Sequence, residues 1–418
     1  MDNRFVQIIT DQREDKSLFL STGWVCREEE SSVSKEGLLI QIITGVRRSG
    51  KSTLVHRSLE NSEYAYVNFD DERLGNLSSN HLSAVLEALY QVYRNFEFLF
   101  LDEIQNVENW HLFVNRLHRA GIKLLITGSN SKMLSSELAS HLTGRYNIVE
   151  LFPFSFAEFL RFKKYETGPM TTTEIGKLKS FFDEYMNLGG FPDILKGADP
   201  VQYALNLFNA IVSRDILFRY NIKYKQTFRD IATFLVSNFS REISFNRIKK
   251  LFELGSEHTA KNYVSFLEEA YLIITLPKFS FKKQESVRNR KSYIIDASFA
   301  RALSDNFTQN KGFLYENIVL LELFRRRKIN HFDLYYYKKN VEVDFLIYKN
   351  LQVTELIQVC YDLENEKTFK RETRSLIQAA TEMNVEKLTI ISGSGKQTLQ
   401  MNEKTIQIVP IYEWLLNQ

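Results

Sequence analysis

The sequence predicts an α/β fold of several domains, led by a doubly wound parallel sheet. Three observations predict it. Short unbroken apolar runs alternate with amphipathic stretches over residues 38–151, a glycine-rich loop follows the first run, and an Asp-Glu pair ends the third. At ~100–200 residues per domain a chain of 418 residues divides into two to four units, and its 44% hydrophobic content supplies their cores.

The runs at 38–44, 64–69, 96–101, 122–127 and 148–151 read as strands buried on both faces, with helical crossovers between them. The first leads into Gly45-Val46-Arg47-Arg48-Ser49-Gly50-Lys51-Ser52, a G-x-x-x-x-G-K-[ST] pattern. A phosphate chain needs converging backbone N–H groups, glycines that let the backbone approach, and a cation at its end. Gly45, Arg48, Ser49 and Gly50 form that turn, and Lys51 contacts the β- and γ-phosphates. Ser52 ligates magnesium, and Ser52 and Thr53 open a helix whose N-terminus points at the anion.

The third run ends in Asp102-Glu103, where Asp102 is expected to hold the Mg2+ ion and Glu103 to orient and deprotonate the attacking water. The fourth ends in Gly128-Ser129-Asn130, and Asn130 is placed to sense the γ-phosphate. ATP and Mg2+ are thus the expected ligands, and ATP hydrolysis the expected chemistry.

Residues 1–152 form this nucleotide-binding core. Residues 153–224 read as a helical lid with helices at 155–162, 174–187 and 201–220, broken at Gly189-Gly190-Phe191-Pro192. Residues 225–298 read as a winged helix, from helices at 244–254 and 259–270 and strands at 271–276 and 291–296. Its wing carries Lys278, Lys282, Lys283, Arg288, Arg290 and Lys291, with Phe279 and Phe281 interleaved. Such a wing fits DNA phosphates, the bland alternative being a solvated hairpin. Residues 299–418 read as a second α/β domain, with a helix at 313–327, strands at 331–337, 342–349, 353–359 and 387–391, and a helix at 367–383.

Composition limits the alternatives. A net charge of +3, from 54 basic and 51 acidic residues, gives no global field toward nucleic acid or membrane, so any such binding is local. Aromatic residues at 13% argue against disorder. Cys26 and Cys360 form neither a metal-ligand spacing nor a disulfide framework, which suits a cytoplasmic, reducing setting. No apolar run approaches the ~20 residues of a membrane helix, and the charged N-terminal stretch does not read as a signal peptide.

Taken together, the motifs resemble the AAA+ ATPases of archaeal and bacterial type in which the AAA module is fused to a C-terminal domain of unknown function. The resemblance rests on the loop above, Leu101-Asp102-Glu103-Ile104-Gln105, Ile126-Thr127-Gly128-Ser129-Asn130, Leu142-Thr143-Gly144-Arg145, Gly189-Gly190-Phe191-Pro192 and Glu342-Val343-Asp344-Phe345. It implies that Arg145 is an arginine finger acting on a neighbouring copy, and hence a homo-oligomer. It also implies a C-terminal domain similar to the PD-(D/E)xK nuclease fold, in which acidic residues hold a metal and a lysine activates water. Glu316 and Asp344 match the acidic positions, with Glu342 or Glu355 nearby, but the expected E-x-K reads Gln358-Val359-Cys360. Nuclease chemistry is therefore not expected, and the acids are read as helix-end or strand-edge residues of a partner-binding domain.

Two functions follow. One is a motor that hydrolyses ATP to move the lid, winged helix and C-terminal domain on a protein partner or on DNA; the other is a nucleotide-controlled switch with slow, single-turnover hydrolysis. A G protein is excluded because the chain lacks an N-K-x-D element.

Overall fold

A computed structural model of the chain describes residues 3–20, 23–75, 77–129, 142, 144–280, 289–304 and 311–417. Its internal packing separates two units. One comprises Met1–Phe154 with Arg161–Lys164 and Glu269–Tyr271; the other comprises Ser155–Leu160, Tyr165–Glu268 and Leu272–Gln418.

In the first unit, helix α1 (Asn3–Leu20) is followed by strand β1 (Ile40–Gly45), α2 (Lys51–Ser58), β2 (Tyr64–Asn68), α3 (Leu82–Tyr93), β3 (Phe98–Asp102), α4 (Trp110–Arg119), β4 (Lys123–Gly128) and β5 (Tyr146–Leu151). The sheet order is β2-β3-β4-β1-β5, and every pairing is parallel. Period-two alternation sends successive β3 side chains to opposite faces. Leu99 and Leu101 join one apolar cluster with Phe5, Leu82 and Trp110, while Phe98 and Phe100 join another with Leu54 and Val55. Both faces are therefore core, which is why the strands read as continuous apolar runs. Each such buried Leu or Phe contributes roughly 1.5–3 kcal/mol. The register aligns Thr44 with Gly128 and Leu101 with Ile126, so β1, β3 and β4 deliver Gly45, Asp102 and Thr127 to one carboxyl edge.

The second unit carries α5 (Phe156–Phe162) in part, then α6 (Thr172–Leu188), α7 (Pro192–Leu195) and α8 (Pro200–Ala210). The helix expected over 201–220 is not uniform: after Ala210 it widens into a π-helical stretch, Ile211–Leu217. The wider turn stacks residues five apart, and both Ile211/Ile216 and Val212/Leu217 are buried. The Gly189-Gly190 break has a specific cause. Gly189 has φ +77°, and a Cβ on it would lie 1.9 Å from Asp296 Oδ1. The Gly190 N–H donates to Asp296 Oδ2 at 2.7 Å, so the glycines make room for a buried carboxylate.

Helix α9 (Lys225–Ser237), β6 (Arg241–Ile243), α10 (Phe245–Leu251), α11 (Glu257–Glu269), β7 (Ile273–Pro277) and β8 (Arg290–Ile294) follow, with an antiparallel sheet in the order β6-β8-β7. Next come α12 (Ala297–Leu303), α13 (Lys311–Asn330), β9 (Asp333–Lys338), β10 (Glu342–Lys349), β11 (Gln352–Cys360), α14 (Glu366–Met383), β12 (Lys387–Ser392), β13 (Gln397–Met401), β14 (Lys404–Pro410) and α15 (Ile411–Leu416). Their sheet runs β13-β14-β12-β11-β10-β9, with β12 and β14 parallel to β11 and the other pairings antiparallel. Among the described residues no helix is long and apolar enough to cross a membrane.

Replacing Gly189 with Ala forces the new methyl group into Asp296 and strains a positive φ. The expected result is a loss of ~2 kcal/mol or more in unfolding free energy, read from denaturant unfolding; an unchanged midpoint would contradict the contact.

Candidate functional site

The loop after β1 owes its shape to three residues with positive φ: Gly45 at 139°, Arg48 at 65° and Gly50 at 95°. A Cβ at Gly45 would lie 2.0 Å from the Leu151 carbonyl oxygen, so only glycine fits. This alternation of backbone hands turns N–H groups inward, the concavity that binds anions. Ser49 Oγ is buried there without a hydrogen-bond partner among the described residues. The Lys51 ammonium donates to the Gly45 and Val46 carbonyls at 3.2 and 3.1 Å and so spans the loop. Thr53 lies in the first turn of α2, and the Arg48 side chain is exposed.

Arg27, which sequence reasoning missed, fixes the loop from behind. Its guanidinium is buried, donates to the Ser49 carbonyl at 2.9 Å and the Phe152 carbonyl at 2.7 Å, and lies 4.8 Å from the Phe154 ring centroid. No local motif marks it, because its partners are 22 and 125 residues away.

Asp102 is the junction of the site. Its Oδ1 accepts from Ser52 Oγ at 2.9 Å and from Thr127 Oγ1, and its Oδ2 accepts from Tyr66 Oη at 3.3 Å. Thr127 Oγ1 in turn accepts the Glu103 N–H at 3.0 Å. Glu103, at φ 52°, holds Oε1 4.0 Å from the Lys51 ammonium, while Oε2 accepts from Gln105 Nε2. Burial, then the neighbouring Glu103 charge, lift the Asp102 carboxyl from 3.8 to about 6, against the hydrogen bonds from Thr127 and Ser52 and the charge of Lys51. A hydroxyl and a carboxylate in contact at a buried strand end suit a hard divalent cation. Thr127 was not among the expected residues; its signal is a polar residue closing a buried strand.

The expected sensor Asn130 lies outside the described residues. Arg145 is exposed and immediately precedes β5, where its carbonyl accepts the Ile40 N–H at 3.1 Å. That is the amino edge of the sheet, five residues or ~16 Å along β1 from Gly45. Arg145 is thus remote from the loop of its own chain.

Beside Ser52 and Asp102 a cavity of about 580 Å³ is lined by Gln12, Lys16, His56, Asp70 and Arg73 among others. Lys16 comes from α1, which the sequence reading did not place. Its ammonium lies 3.5 Å from the Tyr64 ring centroid, and burial with the nearby Arg13 charge lowers its pKa to about 8. Burial, then the Lys16 charge, drop His56 to about 3, leaving it neutral.

Only part of the expected basic wing falls among the described residues. Phe281, Lys282, Lys283 and Arg288 lie outside the described residues. Arg290 donates to Thr275 Oγ1 at 2.8 Å and lies 3.6 Å from Glu268. Lys291, expected at the wing surface, is instead buried against Glu316, Glu342 and Asp344, because an ammonium leaves water only where carboxylates replace its hydration. Burial alone would lower its pKa, but those carboxylates outweigh it and hold the pKa well above the ordinary value. Glu316 and Asp344 are likewise not helix-end or strand-edge residues: both are buried, Glu316 within the 20-residue α13.

Family models match in three stretches: an AAA domain over residues 39–160, and domains of unknown function (DUF8612 and DUF4143) over 179–310 and 311–414. An uncharacterized Methanocaldococcus jannaschii protein, MJ1544, is 36% identical over 398 residues, covering 90% of this chain and 88% of its own length. An uncharacterized Haemophilus influenzae protein is 28% identical over 403 residues, covering 91% and 95%. A solved structure described as the replication initiator DnaA bound to AMPPCP and single-stranded DNA covers 59% of this chain and 89% of its own, at 17% identity and a TM-score of 0.26. That overlap is too slight to bear on mechanism.

The raised Asp102 pKa has a definite sign. The folded state binds the proton more tightly than the unfolded chain does, so this group's contribution to stability is present below pH 3.8 and is lost as pH rises through about 6. A divalent ion must displace the same proton. Expected from fluorescence titration of an ATP analogue is a metal-dependent affinity that falls ~10-fold per pH unit below about 6, with that slope absent in Asp102→Asn. The same slope in both proteins would contradict the assignment.

Proposed function

Because the chain belongs to the AAA+ ATPase family, sharing nearly its whole length with the Methanocaldococcus jannaschii relative, we propose that it binds ATP with Mg2+ in the loop of residues 45–52 and hydrolyses it. The observation that carries this reading is the convergence of Ser52, Thr127 and Tyr66 on Asp102, beside Glu103 and Lys51.

The loop amides and Lys51 bind the phosphate chain, with Lys51 exchanging its carbonyl partners for terminal phosphate oxygens. Ser52 and Asp102 would hold Mg2+, which would neutralise charge on the β- and γ-phosphates. Glu103 orients a water and takes its proton as the water oxygen attacks the γ-phosphorus and ADP departs with the broken bond's electrons. Arg145 of a neighbouring copy stabilises the transferring phosphoryl group, which makes a homo-oligomer the working form. The two hydrogen bonds that join the Glu103 amide to Asp102 through Thr127 tie the position of the base to that of the expected metal ligand.

We assign residues 153–224 to a lid, 225–298 to a winged helix and 299–418 to a C-terminal domain with a nuclease-like fold, acting in the cytoplasm on a protein partner or DNA. Ring contacts inside the second unit support joint movement of lid and C-terminal domain: Phe191 meets Phe299 and Phe182 meets Tyr315, both edge to face. A second reading, a slow nucleotide switch, is favoured by Lys51 being bound to its own loop carbonyls and by Glu103 being tied to Gln105. Those contacts have to break before turnover.

Glu103→Gln is expected to keep ATP affinity and lose turnover ~10²-fold or more, whereas Lys51→Ala loses binding. Wild-type turnover in both variants would refute the site. Mixing Glu103→Gln with Arg145→Ala tests action in trans, since hybrid oligomers pair an intact Glu103 with an intact Arg145. Recovered phosphate release supports the finger; a mixture as inactive as its parts opposes it.

A further inference from the structure

The six-stranded sheet of the second unit carries three carboxylates around one point: Glu316 of α13, and Glu342 and Asp344 of β10. A nuclease fold would place a divalent ion there, with a lysine from the adjoining strand. On β11 that lysine's place is taken by Cys360 and the preceding acid by Gln358. Gln358 supplies no charge: its Nε2 donates to Glu372 at 2.7 Å, and its Oε1 accepts the Asp344 N–H at 3.4 Å.

The missing cation arrives from elsewhere in the chain. Lys291 of β8 brings its ammonium to 3.0 Å from Glu316 Oε1, 2.8 Å from Glu342 Oε1 and 3.2 Å from Asp344 Oδ1. An ammonium has three N–H donors, and three carboxylates take them all. Most of the acceptors are used as well. Glu316 Oε1 also accepts from Tyr293 Oη at 2.6 Å, Asp344 Oδ2 accepts the Val359 N–H at 3.0 Å, and Glu342 Oε2 pairs with Lys338 at 3.0 Å. Five of the six carboxylate oxygens therefore have a donor. A divalent ion needs several of those oxygens facing one vacant point, and that point is filled.

We infer that the carboxylate cluster of the C-terminal sheet is a cation site filled by the chain's own Lys291, so that it takes up no divalent ion. The lysine comes from β8 rather than β11 and stands at the metal's point, where it holds two sheets together instead of activating water. Lys338 extends the pairing to Glu242 of β6 at 3.1 Å, so carboxylates and ammonium groups alternate from the three-stranded to the six-stranded sheet. Removing one partner of such a buried set leaves the others uncompensated, and in the Lys291 variant it leaves three acids with a vacancy between them.

The test counts bound Mn2+ by electron paramagnetic resonance on the full chain without nucleotide, in wild type, Lys291→Ala and Asp344→Asn. Expected are equal counts in wild type and Asp344→Asn, and one additional Mn2+ in Lys291→Ala. A wild-type count that falls by one in Asp344→Asn would overturn the inference, as would a folded Lys291→Ala that gains no ion. Should Lys291→Ala not fold, the comparison of wild type with Asp344→Asn decides alone.

Discussion

The nucleotide site depends on one carboxylate. Asp102 ends β3, and its two oxygens collect hydroxyls from α2, β4 and β2 through Ser52, Thr127 and Tyr66. Because β4 lies between β1 and β3, Thr127 stands between the phosphate loop and the acidic pair, where its Oγ1 accepts the Glu103 N–H and donates to Asp102. A buried charge costs free energy unless it is hydrogen-bonded, and these donors supply only part of the compensation, which is why the pKa remains raised.

A second constraint is the relation between burial and charge in the other unit. Asp296, Glu316, Asp344 and Lys291 are all buried, and each is matched by a backbone amide, a hydroxyl or an opposite charge. These polar contacts join segments distant in sequence: Asp296 reaches Gly190, and Lys291 reaches Asp344. Polar junctions of this kind specify one arrangement rather than maximising stability, since a hydrophobic replacement of similar volume often costs nothing.

Legibility in the sequence followed contact distance. The phosphate loop was readable because Gly45, Gly50, Lys51 and Ser52 act within eight residues, and the strands because burial on both faces removes polar residues from them. Thr127 was readable only as a strand end, and Arg27 not at all, as its partners lie far along the chain. Helix α9 and strands β13 and β14 were missed. β13 lies at the sheet edge and is largely exposed, so its Gln397, Thr398 and Gln400 give no apolar run. Lys291 was misread for the same reason as Arg27: within a basic stretch a buried lysine looks like its neighbours, and only tertiary structure shows the three acids opposite it.

Phosphate release at saturating ATP across a Mg2+ titration, compared between wild type and Asp102→Asn, tests whether Asp102 makes this loop a metal-dependent ATPase. Wild-type release is expected to rise with Mg2+ to a plateau, and the variant to stay near background while still binding the nucleotide. Equal, Mg2+-dependent release from both proteins would contradict it.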